Sequence, residues 1–202
     1  MSSTLQEMES KLQNIMNNWC QNHRECFEGG KMRGDRGDMI EEFVIYVIEQ
    51  IAKEGKTREP PIDIHAIKGS NDKKTLNIPG TNLTKDHQVD VHVYKNDQFI
   101  AVIECKAYLD SCYYTRACND FALFKKFGYH VTSFLFALED SIKEETKQFT
   151  DYETDYICND IFFLLDGKRS SSKPIYDEKY KKPINKEKFA RFVNTLRSLL
   201  LD

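Results

Sequence analysis

The amino-acid sequence predicts a single α/β domain in which helices flank a central mixed β-sheet. Three observations lead there. Helical apolar spacing occupies both ends of the chain, two-residue alternation and short apolar runs occupy the middle, and 202 residues suit one sizeable core better than two.

The first element is helical: Leu5, Met8, Leu12, Ile15 and Trp19 recur at three- and four-residue steps, and Gly29-Gly30 ends the pattern around Phe27. This stripe is narrow, close to a heptad seam, so it packs either on the chain's own core or on a second subunit. A glycine-rich bend, Arg33 to Gly37, then leads to a second helix. Asp38 and Glu41 stand as a capping box, and Ile40, Phe43, Val44, Val47, Ile48 and Ile51 form a wide buried face.

Pro60-Pro61 closes this region and strands follow. Ile62, Ile64 and Ala66 alternate with Asp63, His65 and Ile67, and a polar loop runs from Lys68 to Asp86. Val89 to Tyr94 and Phe99 to Lys106, joined by Lys95-Asn96-Asp97-Gln98, read as an antiparallel hairpin. Cys112 to Phe127 is a helix with Ala117, Phe121, Phe124 and Phe127 inward and Gly128 as its stop. Val131 to Leu138 is apolar enough for a central strand covered on both faces, and Ile161 to Leu165 is another. A further helix is expected between them, and the chain closes on an amphipathic helix with Phe189, Phe192, Val193, Leu196 and Leu200 on one side.

Composition is that of a globular protein, 40% hydrophobic and 30% charged. No apolar run approaches the roughly 20 residues of a membrane helix, and the first residues lack the basic start and apolar stretch of a secretion signal. The expectation is a cytoplasmic protein with no membrane partner, its six cysteines reduced. Net charge is −3, but basic residues dominate from Lys168 to Arg191 after an acidic stretch from Glu139 to Asp160. That asymmetry permits a DNA-facing surface and equally permits a solvated tail.

Chemistry concentrates at Asp90 and Glu104-Cys105-Lys106. Other Glu-x-Lys triplets occur at Glu9, Glu54 and Glu145, in helix or loop surroundings, whereas Glu104 ends an otherwise wholly apolar strand. A carboxylate and an ammonium there cost several kcal/mol unless they pair or hold a ligand. Alternation places Glu104 and Lys106 on one face. With Tyr94 opposite Phe99, Asp90 faces Ile103; a one-residue bulge would set it opposite Glu104. Two carboxylates beside a lysine suit magnesium, water activation and charge stabilisation at phosphorus; the alternative is a structural salt bridge.

These residues resemble the PD-(D/E)xK nuclease superfamily, to which many type II restriction endonucleases belong. The resemblance covers Gln88 to Lys106 as a motif and, more loosely, the order of elements from Asp38 to about Gly167. It implies a restriction-endonuclease-like fold, with Asp90 and Glu104 as metal ligands and Lys106 assisting the nucleophilic water. The residue before the acid is usually proline in that family and is Val89 here. Members often add an acid from the helix ahead of the sheet. Glu41, at the border of the apolar face, is the candidate, with a plain helix cap as its alternative.

The function so implied is magnesium-dependent hydrolysis of double-stranded DNA, with manganese able to substitute. The form expected is a type II restriction enzyme acting as a homodimer on short palindromic sites. A junction resolvase or repair endonuclease of the same fold and a non-catalytic DNA-binding module are the competing readings. Residues 1–28 then form an N-terminal helix available for dimerisation, 38–167 the catalytic core, and 168–202 a basic segment with the last helix. Candidate DNA contacts are Arg116 and Asn119 on the helix after the motif, and Arg169, Ser171 and Lys173 in the basic segment; the Lys68–Asp86 loop is a candidate base reader. Cys20-x-x-His23-x-x-Cys26 offers zinc ligands without an evident fourth. His92 shares a face with Asp90, either lining the site or as a satisfied sheet histidine. No phosphate-cradling Gly-x-x-x-x-Gly-Lys loop is present.

Overall fold

A computed structural model of the chain describes residues 3–25, 29–169 and 177–202, without the side chains of residues 3, 20–25 and 29–35. The sequence elements close into one sheet with helices on both faces. Helix α1 (Ser3–Glu25) buries Met8, Leu12, Met16 and Trp19. Its apolar stripe therefore packs on the chain's own core, against α2 (Gly29–Lys56) and the last helix.

Helix α2 corrects the expected bend. The backbone is already helical from Gly29, so Asp38 lies inside the helix and caps nothing. Each interior glycine weakens a helix by about 1 kcal/mol. Here packing of Ile40, Phe43, Val44, Val47, Ile48 and Ile51, all fully buried, carries a helix of 28 residues across that weakness. The capping-box reading of Glu41 falls with the bend.

Strand β1 (Ile64–Lys68) leads to a 3-10 turn, Gly69–Asn71. The expected loop beyond it contains two short strands, β2 (Lys74–Asn77) and β3 (Thr84–His87), which pair antiparallel as a ribbon separate from the main sheet. Strands β4 (Val91–Lys95) and β5 (Gln98–Asp110) form the predicted hairpin. Its turn residues Asn96 and Asp97 both have positive φ, 49° and 62°, the conformation a two-residue hairpin loop requires and these side chains tolerate.

Helix α3 (Ser111–Lys126) starts where the Asp110 carboxylate accepts the Tyr113 amide at 2.9 Å. It returns the chain to β6 (Thr132–Ser141), parallel to β5. Phe127 is only half-buried, at the cap rather than in the core. Helix α4 (Glu144–Glu153) and strand β7 (Asp160–Phe163) follow, then α5 (Lys186–Leu201). The five-stranded sheet runs β1-β4-β5-β6-β7, antiparallel through β5 and parallel beyond it. Helices α1, α2 and α5 cover one face. The other is covered by α3, with Tyr114, Ala117, Cys118, Phe121 and Phe124 against Val102, Leu135 and Ala137. Alternate residues of β6 enter each core, as expected of a strand covered on both faces. Cys105, Cys112, Cys118 and Cys158 are free thiols. No helix among the described residues is long and apolar enough to cross a membrane.

Candidate active site

The hairpin contains the bulge that decides where Asp90 points. Tyr94 pairs with Phe99, but Val93 pairs with Ala101 and Val91 with Ile103, leaving Ile100 as the extra residue. One step further, Asp90 stands opposite Glu104, and its amide donates to Glu104 Oε2 at 3.3 Å. The Asp90 carboxylate turns inward: Oδ2 accepts the Cys105 amide at 2.8 Å and the Lys106 ammonium at 2.9 Å. Lys106 Nζ also lies 2.6 Å from Glu104 Oε1. Two carboxylates from neighbouring strands thus meet at one lysine, as the motif spacing required.

Electrostatics set the protonation of this group. Burial pushes the Glu104 carboxyl up, the charge of Asp90 pushes it further, and Lys106 opposes both. Burial alone would lower Lys106, but Glu104 and Asp90 outweigh it and hold the ammonium above its ordinary range. The two carboxylates thus favour the charged form of Lys106. Glu41, on α2, is raised to about 7 by burial first and by Asp90 next, with Lys68 pulling the other way. Lys68 lies 3.9 Å from Glu41 and nearer to Asp38 and Glu42, at 3.6 and 3.3 Å. Glu41 thus feels the charges of Asp90 and Lys106 from α2, while its ion-pair partner is Lys68.

Among the described residues, no trio of acids, histidines or cysteines is gathered tightly enough to be a ready-made cation cage. The donor chemistry nevertheless fits a hard divalent ion. Asp90 Oδ1 accepts no hydrogen bond from the described residues, and the two carboxylates of Asp90 and Glu104, which repel each other, share one close ammonium.

Glu41 yields a signed prediction. Its ordinary value of 4.5 is raised to about 7 in the fold, so its protonated form is preferred there. The stability this proton contributes is full below the unfolded value and is lost as pH rises through about 7. Glu41→Gln keeps the shape without the charge. It should raise stability at pH 8 in chelator by on the order of 1–3 kcal/mol and leave it nearly unchanged at pH 4.5. Melting curves at the two pH values check this; a loss of stability at pH 8 would mean that attraction to Lys68 outweighs burial and the repulsion from Asp90.

Behind Asp90 lies a buried network that the sequence did not announce. His92 is fully buried, with Nδ1 3.0 Å from Asp72 Oδ2 and Nε2 3.5 Å from the Val89 amide. Burial lowers its pKa against the pull of Asp72. It is the satisfied sheet histidine, bonded to Asp72 and the Val89 amide rather than to the carboxylates of Asp90 and Glu104. Lys74 and the Tyr94 hydroxyl complete the hydrogen bonding of Asp72. Gly69 donates its amide to the Asp90 carbonyl at 2.9 Å. The only hint in the sequence was a glycine at the head of a polar loop. Asp120 on α3 was also missed; burial raises its pKa, and His87, Arg116, Lys85 and Lys106 oppose the rise.

Arg116 and Asn119 are exposed on α3 and line a groove of about 610 Å³ with Ser111, Thr115 and Thr146. Arg169 is differently placed: its guanidinium stacks on Tyr108, 3.3 Å from the ring centre, and lies 4.0 Å from the buried Glu139. Ser171 and Lys173 lie outside the described residues, as do the side chains of Cys20, His23 and Cys26. Much of the remaining basic stretch faces acids of its own chain. Lys182 is 2.7 Å from Glu139, Arg191 2.6 Å from Asp160 and Lys186 3.9 Å from Glu9.

No family model matches the chain. It is similar to the type II restriction enzyme DdeI of Desulfomicrobium norvegicum (strain DSM 1741 / NCIMB 8310). The identity is 27% over 186 residues, covering 79% of this chain and 78% of that enzyme. The cluster of Asp90, Glu104 and Lys106 therefore belongs to a chain distantly related to a type II restriction enzyme.

Proposed function

We propose that the protein is a magnesium-dependent endonuclease that hydrolyses phosphodiester bonds in double-stranded DNA, a type II restriction enzyme of the PD-(D/E)xK kind. The observation that carries this reading is the convergence of Asp90 and Glu104 on Lys106 at the end of a buried strand, in a chain related to a restriction enzyme. Asp90 and Glu104 would hold the cation, with Glu41 behind them. A magnesium ion bound there supplies Lewis-acid activation of water and neutralises charge on the phosphate.

The chain's own groups do the rest. Lys106, held protonated by its two carboxylates, stabilises negative charge developing on the phosphoryl oxygens and orients the attacking water. In the reaction a water oxygen bonds to phosphorus, one P–O ester bond breaks, and the proton released by water is balanced by protonation of the leaving oxygen. Glu41, poised near neutrality, can take up or release a proton within the same cluster. The protein would work in the cytoplasm as a homodimer, since a two-fold symmetric site in DNA calls for two copies of one small catalytic centre. Manganese would substitute for magnesium.

The test is incubation of purified protein with plasmid DNA and magnesium. Discrete bands are expected. Cleavage confined to branched or damaged substrates would reassign the protein as a resolvase or repair nuclease, and binding without cleavage would leave only a DNA-binding module.

A further inference from the structure

The ribbon formed by β2 and β3 has no part in the main sheet, yet its second strand runs through Gln88 and Val89 straight into Asp90. Its base is pinned on two sides. Leu76 and His87 are buried; the His87 ring packs 4.7 Å from Phe124 and its Nε2 lies 2.9 Å from the Asp120 carbonyl. Lys74 is held by Asp72 at 2.9 Å, in the network that also contains His92.

Everything beyond that base is exposed, from Asn77 to Asp86. The tip is nevertheless ordered by its own bonds. The Thr81 amide donates to the Ile78 carbonyl at 3.1 Å, the Ile78 amide to the Leu83 carbonyl at 3.1 Å, and Gly80 takes the positive φ of 77° that the turn needs.

Register sorts the side chains. Thr75 pairs with Asp86 and Asn77 with Thr84, so these four share one face, and all four are exposed. Leu76 and Lys85 share the opposite face, where Leu76 is buried. The outward face is rich in amide and hydroxyl groups. The side chains of Asn77, Thr84 and, at the tip, Asn82 make no hydrogen bond to the described residues. Ile78 and Leu83, 47% and 64% exposed, stand beside them.

We infer that this ribbon enters the major groove of duplex DNA and reads bases there, an inference that rests on the nuclease reading above. The major groove, about 12 Å wide, admits a two-stranded ribbon whose strands lie about 5 Å apart. Four extended residues reach about 13 Å, more than the groove's depth of about 8.5 Å. Asn77 and Asn82 carry the donor–acceptor pair that fits adenine, and Ile78 and Leu83 offer the apolar contact that suits a thymine methyl. Lys73 and Lys85, both exposed, flank the ribbon where phosphates would pass. The direct run into Asp90 couples the position of the read bases to that of the cut bond.

The experiment uses the full chain and a plasmid library with randomised inserts. Wild-type protein defines its preferred sequence from the cut ends. Asn77→Ala and Asn82→Ala, singly and together, are then compared on that sequence and on its single-base neighbours. The expected result is a loss of discrimination at one or two base pairs by about ten- to a hundredfold, with an unchanged melting temperature. Unchanged discrimination in all three variants would overturn the ribbon's role while leaving the nuclease reading intact. Discrimination retained while sedimentation shows a dimer becoming monomer would overturn it too, in favour of a subunit contact. Wild-type protein that cuts no duplex would remove the nuclease reading and this inference with it.

Discussion

Asp90→Asn should lower metal-dependent DNA cutting by at least about a thousandfold, roughly 4 kcal/mol of barrier, and leave the fold standing. The two halves of that expectation have separate causes. Asparagine keeps an oxygen that can accept the Cys105 amide, now held at 2.8 Å, so the backbone end of the interaction survives. The charge is lost, and with it a ligand for a hard cation. Stability changes little, because Asp90 attracts Lys106 but repels Glu104 and Glu41. Lys106→Met has the opposite balance. It too should silence cutting, yet it leaves Asp90 and Glu104 facing each other at 22% and 10% side-chain exposure with no ammonium between them. Without divalent ion its melting temperature should fall, by about 3 kcal/mol in stability, and added magnesium should restore much of the loss. Melting curves with and without the ion distinguish the two variants. A Lys106→Met protein that loses stability with or without magnesium, yet still cuts at the wild-type rate per folded molecule, would reduce the cluster to an ordinary salt bridge.

Gly69→Ala should be nearly as damaging, although the residue touches no substrate. A Cβ placed there would lie 1.7 Å from the Val89 carbonyl oxygen and 2.9 Å from its carbon. Both obstacles are backbone, so neither can swing aside. The same glycine amide bonds the Asp90 carbonyl, and any shift that relieves the clash drags the Val89–Asp90 segment with it. The expected cost is about 3 kcal/mol or more, roughly 10 °C in melting temperature for a chain of this size, with cutting reduced by orders of magnitude per folded molecule. Gly37→Ala is the matched control. It lies in α2 with nothing within 4 Å of the new methyl, and alanine there should stabilise by about 0.5–1 kcal/mol. A Gly69→Ala protein with normal melting and normal cutting would show that the close approach to Val89 is not needed.

The parts of this molecule legible in its sequence are those where burial writes a period. The alternation of Val91 to Lys95 and the apolar run of Phe134 to Leu138 each declared their strands, and the turn chemistry of Asn96-Asp97 declared the hairpin connection. The motif spacing brought Asp90, Glu104 and Lys106 together and left two registers open; the bulge at Ile100 selects one. Glu41 stands out in the sequence only by its helix face; that its carboxyl feels the charge of Asp90 is a tertiary effect. The ribbon was read as a loop because β2 and β3 bury only Leu76 and His87, too little for a period to show. The start of α2 was hidden by glycines that packing further along overrides. The basic segment looked free because the acids it meets are remote in sequence; Glu139 stands 43 residues before Lys182.

The central claim is that Asp90 and Glu104 gather a divalent ion on which hydrolysis depends. Single-turnover cutting of plasmid DNA, run with magnesium and with excess chelator for wild-type and Asp90→Asn protein side by side, tests it most directly. The account predicts fragments with discrete ends from wild-type protein in magnesium alone, and none from the other three reactions. Cutting that persists in chelator, or in the Asp90→Asn protein at the wild-type rate, would contradict it.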